Sequence, residues 1–412
     1  MHPLMKFFSS LRLTLVLLSL SVVLVFLGTM AQEPLGLYIV QDRFFQSLFV
    51  DALSMQAAVK KTLQMFLVYL PPTTAEQVLH GPRIPVFPGG YLLGSLLLVN
   101  LLAAHVTRFK LSWKKAGIFL VHAGIVLLLL GQLFTDVWAR ESGLRLTEGE
   151  TRNYSESDRR SELAIVDVSA PERDKVVAIP EALLARGGRL SHPSLPFEIE
   201  VKRFMVNSHL TNRVGSMTNE PVLADQGVGP RLAAFELPKV TRMDYRDVPT
   251  AVIELRQPAR PLGTWLVSGH LERPQRVSVD GRDFELSLRL ERHYKDFSLT
   301  LLKFSHDKYR GTEIPKNFSS KVRLQNARTG EDREVLIYMN NPLRYDGQTF
   351  YQASFDKTDD RVTILQVVRN PTWLTPYFGC LVVALGLLVQ FSISLHAHMK
   401  RRAAAPAAAA AA

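Results

Sequence analysis

One imidazole sits in an otherwise unbroken apolar run: His122, in GIFLVHAGIVLLLLG. Ionisable residues at membrane depth are costly and usually face protein, a cofactor or water. If the run begins as a helix near Ala116, a rise of ~1.5 Å per residue places His122 about 9 Å from that end. A neutral histidine there can be a metal ligand, or it can serve only as a hydrogen-bonding group between helices. Asn100 lies at the same depth when the preceding apolar run is counted back from Val106. Its side chain is placed to accept the Nδ1 proton of His122 and aim Nε2 outward, which is how outer-shell groups prepare a metal-binding histidine; the plainer alternative is that Asn100 bonds another helix. His105 falls ~8 Å closer to the helix end by the same rise. That offset disfavours two axial ligands to one metal ion from this chain alone.

The other histidines carry less. His192, His209, His270, His293 and His306 show no metal-ligand spacing, and His396 and His398 fall near the end of the last apolar run. No nucleophile motif and no phosphate loop is present.

Four apolar runs must position these residues, at about Leu13–Met30, Val86–Val106, Ala116–Phe134 and Pro371–Leu395, each near the ~20 residues of a membrane-spanning helix. Composition is 47% apolar, but the apolar residues are segregated from a polar middle, which marks a membrane protein. The flank TRFKLSWKK holds Arg108, Lys110, Lys114 and Lys115 without an acid and is read as cytoplasmic. Lys6 and Arg12 before the first run, and Lys400 to Arg402 after the last, give both termini the same side. The expected organisation is a first span in 1–30, an extracytoplasmic amphipathic helical segment in 31–85, and two spans with a basic loop in 86–138. An extracytoplasmic β-rich domain in 139–370, a fourth span in 371–398 and a cytoplasmic tail in 399–412 complete it. The first run can also be read as a cleaved signal peptide, because it follows a basic start. A net charge of +11 arises partly in these cytoplasmic flanks, and no nucleic-acid signal accompanies it.

Gly117, Gly124 and Gly131 recur every seven residues, forming one small-residue stripe for close helix packing, with Gly379 and Gly386 matching it on the last run. At ~100° per residue His122 lies nearly opposite Gly124. Glycine packing on one side therefore offers the imidazole on the other.

The polar domain alternates in the manner of strands at Ser161–Val168, Phe197–Val206, Thr250–Leu255, Asp283–Leu290, Lys321–Leu324, Glu334–Met339 and Arg361–Val368, with turns at Gly187-Gly188, Asp280-Gly281, Thr329-Gly330 and Asp346-Gly347. A sandwich-like antiparallel fold is expected, with Ser208–Asp247 less regular. The only cysteine, Cys380, lies in the last apolar run, so this domain has no disulfide framework and no thiol chemistry of its own.

The stretch GTEIPKNFSSKVRL, then MNNPLRYDGQTFYQASF, then TILQVVRNP resembles the ResB family of cytochrome c biogenesis proteins. Pro315, Asn317, Phe318, Asn340, Asn341, Pro342, Tyr345, Gly347, Tyr351 and Gln352 carry the likeness, supported by VHAG around His122. Turn chemistry gives these residues a structural reading, as loop, cap and cross-strand pairs, beside one of partner contact.

The resemblance implies a system II subunit of the bacterial inner membrane, working with a ResC/CcsA-type membrane protein. That pair moves heme b outward and joins it to the CxxCH cysteines of apocytochrome c, with thiol reductant supplied by another protein. It also implies His122 as a heme ligand on the cytoplasmic side, with Arg108, Lys110, Lys114 and Lys115 attracting propionates. The alternative is a membrane-anchored assembly module that never ligates heme.

Overall fold

The computed structural model describes residues 3–410 apart from 67, 69, 109–111, 171, 173, 214–220, 241–244, 259, 309–314 and 357; of 108, 307, 308, 315, 316, 401 and 403–410 it describes the backbone alone. The described residues divide into a largely helical unit, within 1–139 and 370–412, and a β unit, within 140–240 and 245–369.

Four helices are long and apolar enough to cross a bilayer: Leu11–Leu35, Gly90–Thr107, Trp113–Trp138 and Thr375–Lys400. The third and fourth meet along the glycine stripe, as its spacing predicts. A Cβ added at Gly117 would lie 2.6 Å from the Gly386 carbonyl oxygen, one at Gly124 2.9 Å from that of Gly379, and one at Gly386 2.7 Å from the Val121 amide nitrogen. These are backbone-to-backbone approaches that any larger residue would prevent. At one end of the second and third helices the Tyr91 hydroxyl donates to the Asp136 carboxylate, and Gln46 Nε2 donates to the same group at 2.8 Å.

Residues 31–85, expected as an amphipathic helical segment, are helical only in part. Helical backbone at Leu37–Val40 widens into a π-turn at Gln41–Phe45, a strand at Phe49–Asp51 follows, and new helices run over Ala52–Gln64 and Ala75–His80. The strand pairs with Pro85–Pro88. Asp51 is the reason the helical period breaks, because its carboxylate caps the next helix, accepting from the Ser54 amide at 3.0 Å and hydroxyl at 2.7 Å. Phe44 and Val50 are fully buried with Leu35, Ile39 and Val78. Arg43, 4% exposed, is closed in with them, its guanidinium 3.5 Å from Asp51.

The β unit is built on two long antiparallel strands, Thr151–Asp167 and the 27-residue Arg282–Lys308. They serve two cores in succession. Phe284 to Leu290 pairs with Ser161 to Asp167 and packs on a four-stranded sheet formed by Gly188–Leu190, Glu198–Met205, Thr250–Gln257 and Arg260–Ser268. Leu163, Ile165, Phe197, Ile253, Val267 and Phe284 fill that sandwich. Beyond a register shift between Leu290 and Arg292, the same strands join a ten-stranded sheet that curls around Leu144, Leu299, Leu301, Val322, Leu324, Phe350 and Leu365. The sandwich expectation thus describes one half, and a nearly closed barrel forms the other. The less regular middle contains a strand pair, Ser208–Asn212 with Leu232–Glu236.

The family-like motif closes the curled sheet. Tyr338 and Asn341 exchange backbone hydrogen bonds of 3.3 and 2.9 Å across a turn in which Asn340 takes φ 63°. Strand Leu343–Tyr345 then returns as Gln348–Phe355, with Tyr345 opposite Gln348. Asp346 and Gly347, at φ 49° and 68°, form the two-residue turn with both central residues left-handed that best matches hairpin twist. Tyr345 rests edge-on on Phe297 at 4.8 Å, and its hydroxyl accepts from Asn326 at 3.0 Å. Gln352 accepts from Ser320 at 2.6 Å and donates to Thr363 at 3.0 Å. Phe318 packs on Phe355 at 5.1 Å, while Pro315 and Asn317 continue the pairing with Lys308 and Asp307. Pro342 is half-buried between Asn341 and Leu343, and the Tyr351 ring is partly exposed. Residues 311–314 of the resemblance lie outside the described residues.

A Cβ at Gly347 meets nothing within 4 Å, so the cost of Gly347→Ala is conformational, about 1–2 kcal/mol. Thermolysin cleavage of the β unit in the full-length chain is expected to accelerate by roughly 5- to 30-fold; unchanged cleavage would contradict the turn assignment.

Candidate functional site

The helix Ala116–Trp138 buries Gly117, Gly124 and Gly131 against the last span and turns His122 toward the helix Gly90–Arg108. The His122 ring centroid is 5.5 Å from that of His105, with 66° between the planes, and Phe119 lies 5.1 Å from His105. The contact overturns the ~8 Å offset between the two residues counted along the helices. The second helix continues to Arg108, so the boundary used for counting moves by half a turn. The larger reason is direction: side chains lean toward the N-terminus of their own helix. In oppositely directed helices His105 and His122 therefore lean toward one another.

His122 Nδ1 is 2.8 Å from the carbonyl oxygen of Ile118, one turn earlier in its own helix. A carbonyl only accepts, so Nδ1 carries the proton and Nε2 presents the lone pair. That is the tautomer Asn100 was expected to fix, and Asn100 does not fix it. The Asn100 amide, 3% exposed, faces the first span: Oδ1 accepts from Thr14 at 2.6 Å, and Nδ2 donates to the carbonyls of Phe8 and Ser10 at 2.6 and 3.2 Å. Those carbonyls fall where the helix Pro3–Phe8 ends and Leu11–Leu35 begins. The last carbonyls of a helix lack intrahelical partners, so the buried amide supplies a donor to Phe8 and adds a second to the Ser10 carbonyl, which already accepts from the Thr14 amide at 3.2 Å. The residue type was informative, but helix rotation sends it the other way.

Backbone carbonyls of Leu101 and Phe119 face the His105 ring. With Phe119 they make an apolar, carbonyl-lined setting for the two imidazoles. Among the expected cations, Lys114 and Lys115 are exposed on the single turn Trp113–Lys115 that opens the third span. Of Arg108 only the backbone is described, and Lys110 lies outside the described residues.

A family model described as the ResB-like family matches residues 272–364. That interval takes in the second half of the β unit, including the strands that close its curled sheet. The chain is also similar to Protein NrfI of Wolinella succinogenes, at 27% identity over 298 residues, covering 72% of this chain and 29% of NrfI. The matched chain therefore spans less than a third of that relative's length. With the motif, the four candidate spans and the β-rich unit in one order, the chain is similar to the ResB-like family over residues 272–364.

Proposed function

We propose that this chain is a membrane subunit of cytochrome c biogenesis of the system II type. Together with a ResC/CcsA-type partner, it passes heme b outward for attachment to the CxxCH cysteines of apocytochrome c. The observation that carries the reading is His122, inside a span with Nδ1 held by Ile118 at 2.8 Å, beside a second imidazole and in a ResB-like chain. An Nδ1–H histidine offers Nε2 as a ready axial ligand for heme iron. The two ring centroids are 5.5 Å apart in a T-shaped contact, which supports the reading that His105 packs against His122 and that a second heme ligand would come from the partner. Arg108, Lys110, Lys114 and Lys115 supply positive charge for the propionates at the same end of the spans.

The basic flanks support a bacterial inner-membrane arrangement with both termini cytoplasmic and the β unit outside. Cys380, the single cysteine, belongs to the fourth span, so reduction of the apocytochrome's disulfide belongs to another protein. A second reading, an assembly module without heme ligation, is favoured by the same Ile118 bond, since a helix-internal partner also satisfies a purely structural histidine.

Optical spectra of the full chain purified with its partner separate the two. His122→Ala is expected to remove most of the Soret absorbance that depends on this chain and to reduce cytochrome c maturation; intact maturation with no Soret band in either protein would leave only the assembly reading. Asn100→Leu, by contrast, leaves the Soret maximum in place. It strips three hydrogen bonds from a buried site, at about 1–3 kcal/mol, and speeds amide exchange around residues 8–14. A shifted Soret band in Asn100→Leu would restore its link to His122.

A further inference from the structure

A cleft of about 320 Å³ in the β unit is lined by four cationic side chains, Arg140, Arg292, Lys295 and Arg369, together with His293 and without a carboxylate. Arg140 stands directly opposite Arg369 in the antiparallel pairing of Arg140–Thr147 with Val362–Arg369, and both are exposed. Like charges directly opposite on one sheet face are destabilising, and no ion pair relieves either arginine among the described residues.

Behind them, Lys295 Nζ donates to two neutral oxygens, Ser155 Oγ at 2.9 Å and Gln348 Oε1 at 2.8 Å. Burial pushes this ammonium down to about 8, with Asp346 pulling it back up and Arg369 adding repulsion. His293 Nε2 is buried with no hydrogen-bond partner; burial lowers this imidazole too, against the pull of Glu291 and with repulsion from Arg160, Lys295 and Arg140. Only Arg292 is neutralised locally, by Glu156 at 3.1 Å, its guanidinium lying 4.1 Å over the Tyr154 ring. Ser142 donates to Ser155 at 2.8 Å, completing a polar floor.

We infer that this cleft binds a phosphate group. Two guanidinium forks and an ammonium converge on one small space, more donors than one carboxylate can use and well matched to phosphate oxygens. Concentrated positive charge that costs stability in the empty fold is explained by an anion that removes the cost. Arg140 follows Ala139 at the end of the third span, and Arg369 precedes Asn370-Pro371 before the fourth. Few residues of chain thus separate each arginine from an apolar span, and a phospholipid headgroup and a free phosphate share the required chemistry. The inference is independent of heme ligation.

The test uses the full chain in neutral maltoside micelles, with inorganic phosphate added in one arm and phosphatidylglycerol in the other. Thermal unfolding is followed for wild type, for Arg140→Gln/Arg369→Gln, and for a control of equal charge, Lys175→Gln/Arg186→Gln. Wild type and control are expected to rise by about 2–4 °C with at least one addition. The arginine double variant starts at or above the wild-type midpoint and does not move. A rise with phosphate identifies a free ion, a rise with lipid alone a headgroup. The inference is overturned if neither addition raises wild type, if the arginine double variant rises as much, or if it melts below wild type in plain micelles.

Discussion

The helical unit depends on one constraint, the close approach of the third and fourth spans along their glycines. Lipid offers no hydrophobic drive for one helix to leave it for another, so association rests on packing and on how near the backbones come. Carbonyl oxygens of Gly379 and Gly386 lie within 3 Å of where side chains at Gly124 and Gly117 would begin, which allows only glycine there. Once that seam is made, the rotation of the third span is fixed. His122 then points away from the fourth span and toward His105. The Nδ1 bond to Ile118 needs no other helix, so the seam sets where the imidazole points and the helix itself sets which nitrogen is offered.

A comparable division of labour runs through the β unit. Two strands long enough to cross both cores make one unit of a sandwich and a barrel, and the register shift between Leu290 and Arg292 lets them change partners. Arg292, His293 and Lys295 follow directly on that shift. Irregular pairing is a common way to re-aim side chains, and here it brings basic residues of a central strand toward Arg140 and Arg369 at the two ends of the unit.

Much of this was legible in the sequence, and the limits are physical. Hydropathy located four spans, and the seven-residue glycine repeat gave the packing face. Asp346-Gly347 announced its turn, because few residues other than glycine and aspartate or asparagine take left-handed backbone at small cost. The His105 contact was missed because counting rise per residue compares Cα heights, whereas side chains in opposed helices lean together. Asn100 was placed at the right depth and assigned the wrong neighbour, since depth carries no information about rotation. In 31–85 an amphipathic pattern concealed a strand and a second helix start, because nothing local distinguishes Asp51, a buried cap, from an exposed polar position. The basic cleft depends on pairing residues from opposite ends of the β unit, which no local pattern reveals.

The motif that carries the family resemblance shows that fold and chemistry can reside in different residues. Its side chains are committed to closing a sheet: Leu343 and Phe350 in the core, Gln352 between Ser320 and Thr363, Asn340 in a left-handed turn. Residues so engaged have few atoms left for a partner, apart from the partly exposed Tyr351 and the rim at Asn340 and Asn341. A sequence signature can be specific because a closure admits few solutions, with no chemistry at that place. The groups with chemistry to offer, an oriented imidazole in a span and an uncompensated set of cations, stand outside the motif. Each is held by a constraint that ignores ligand identity: a glycine seam for the one, a strand register for the other.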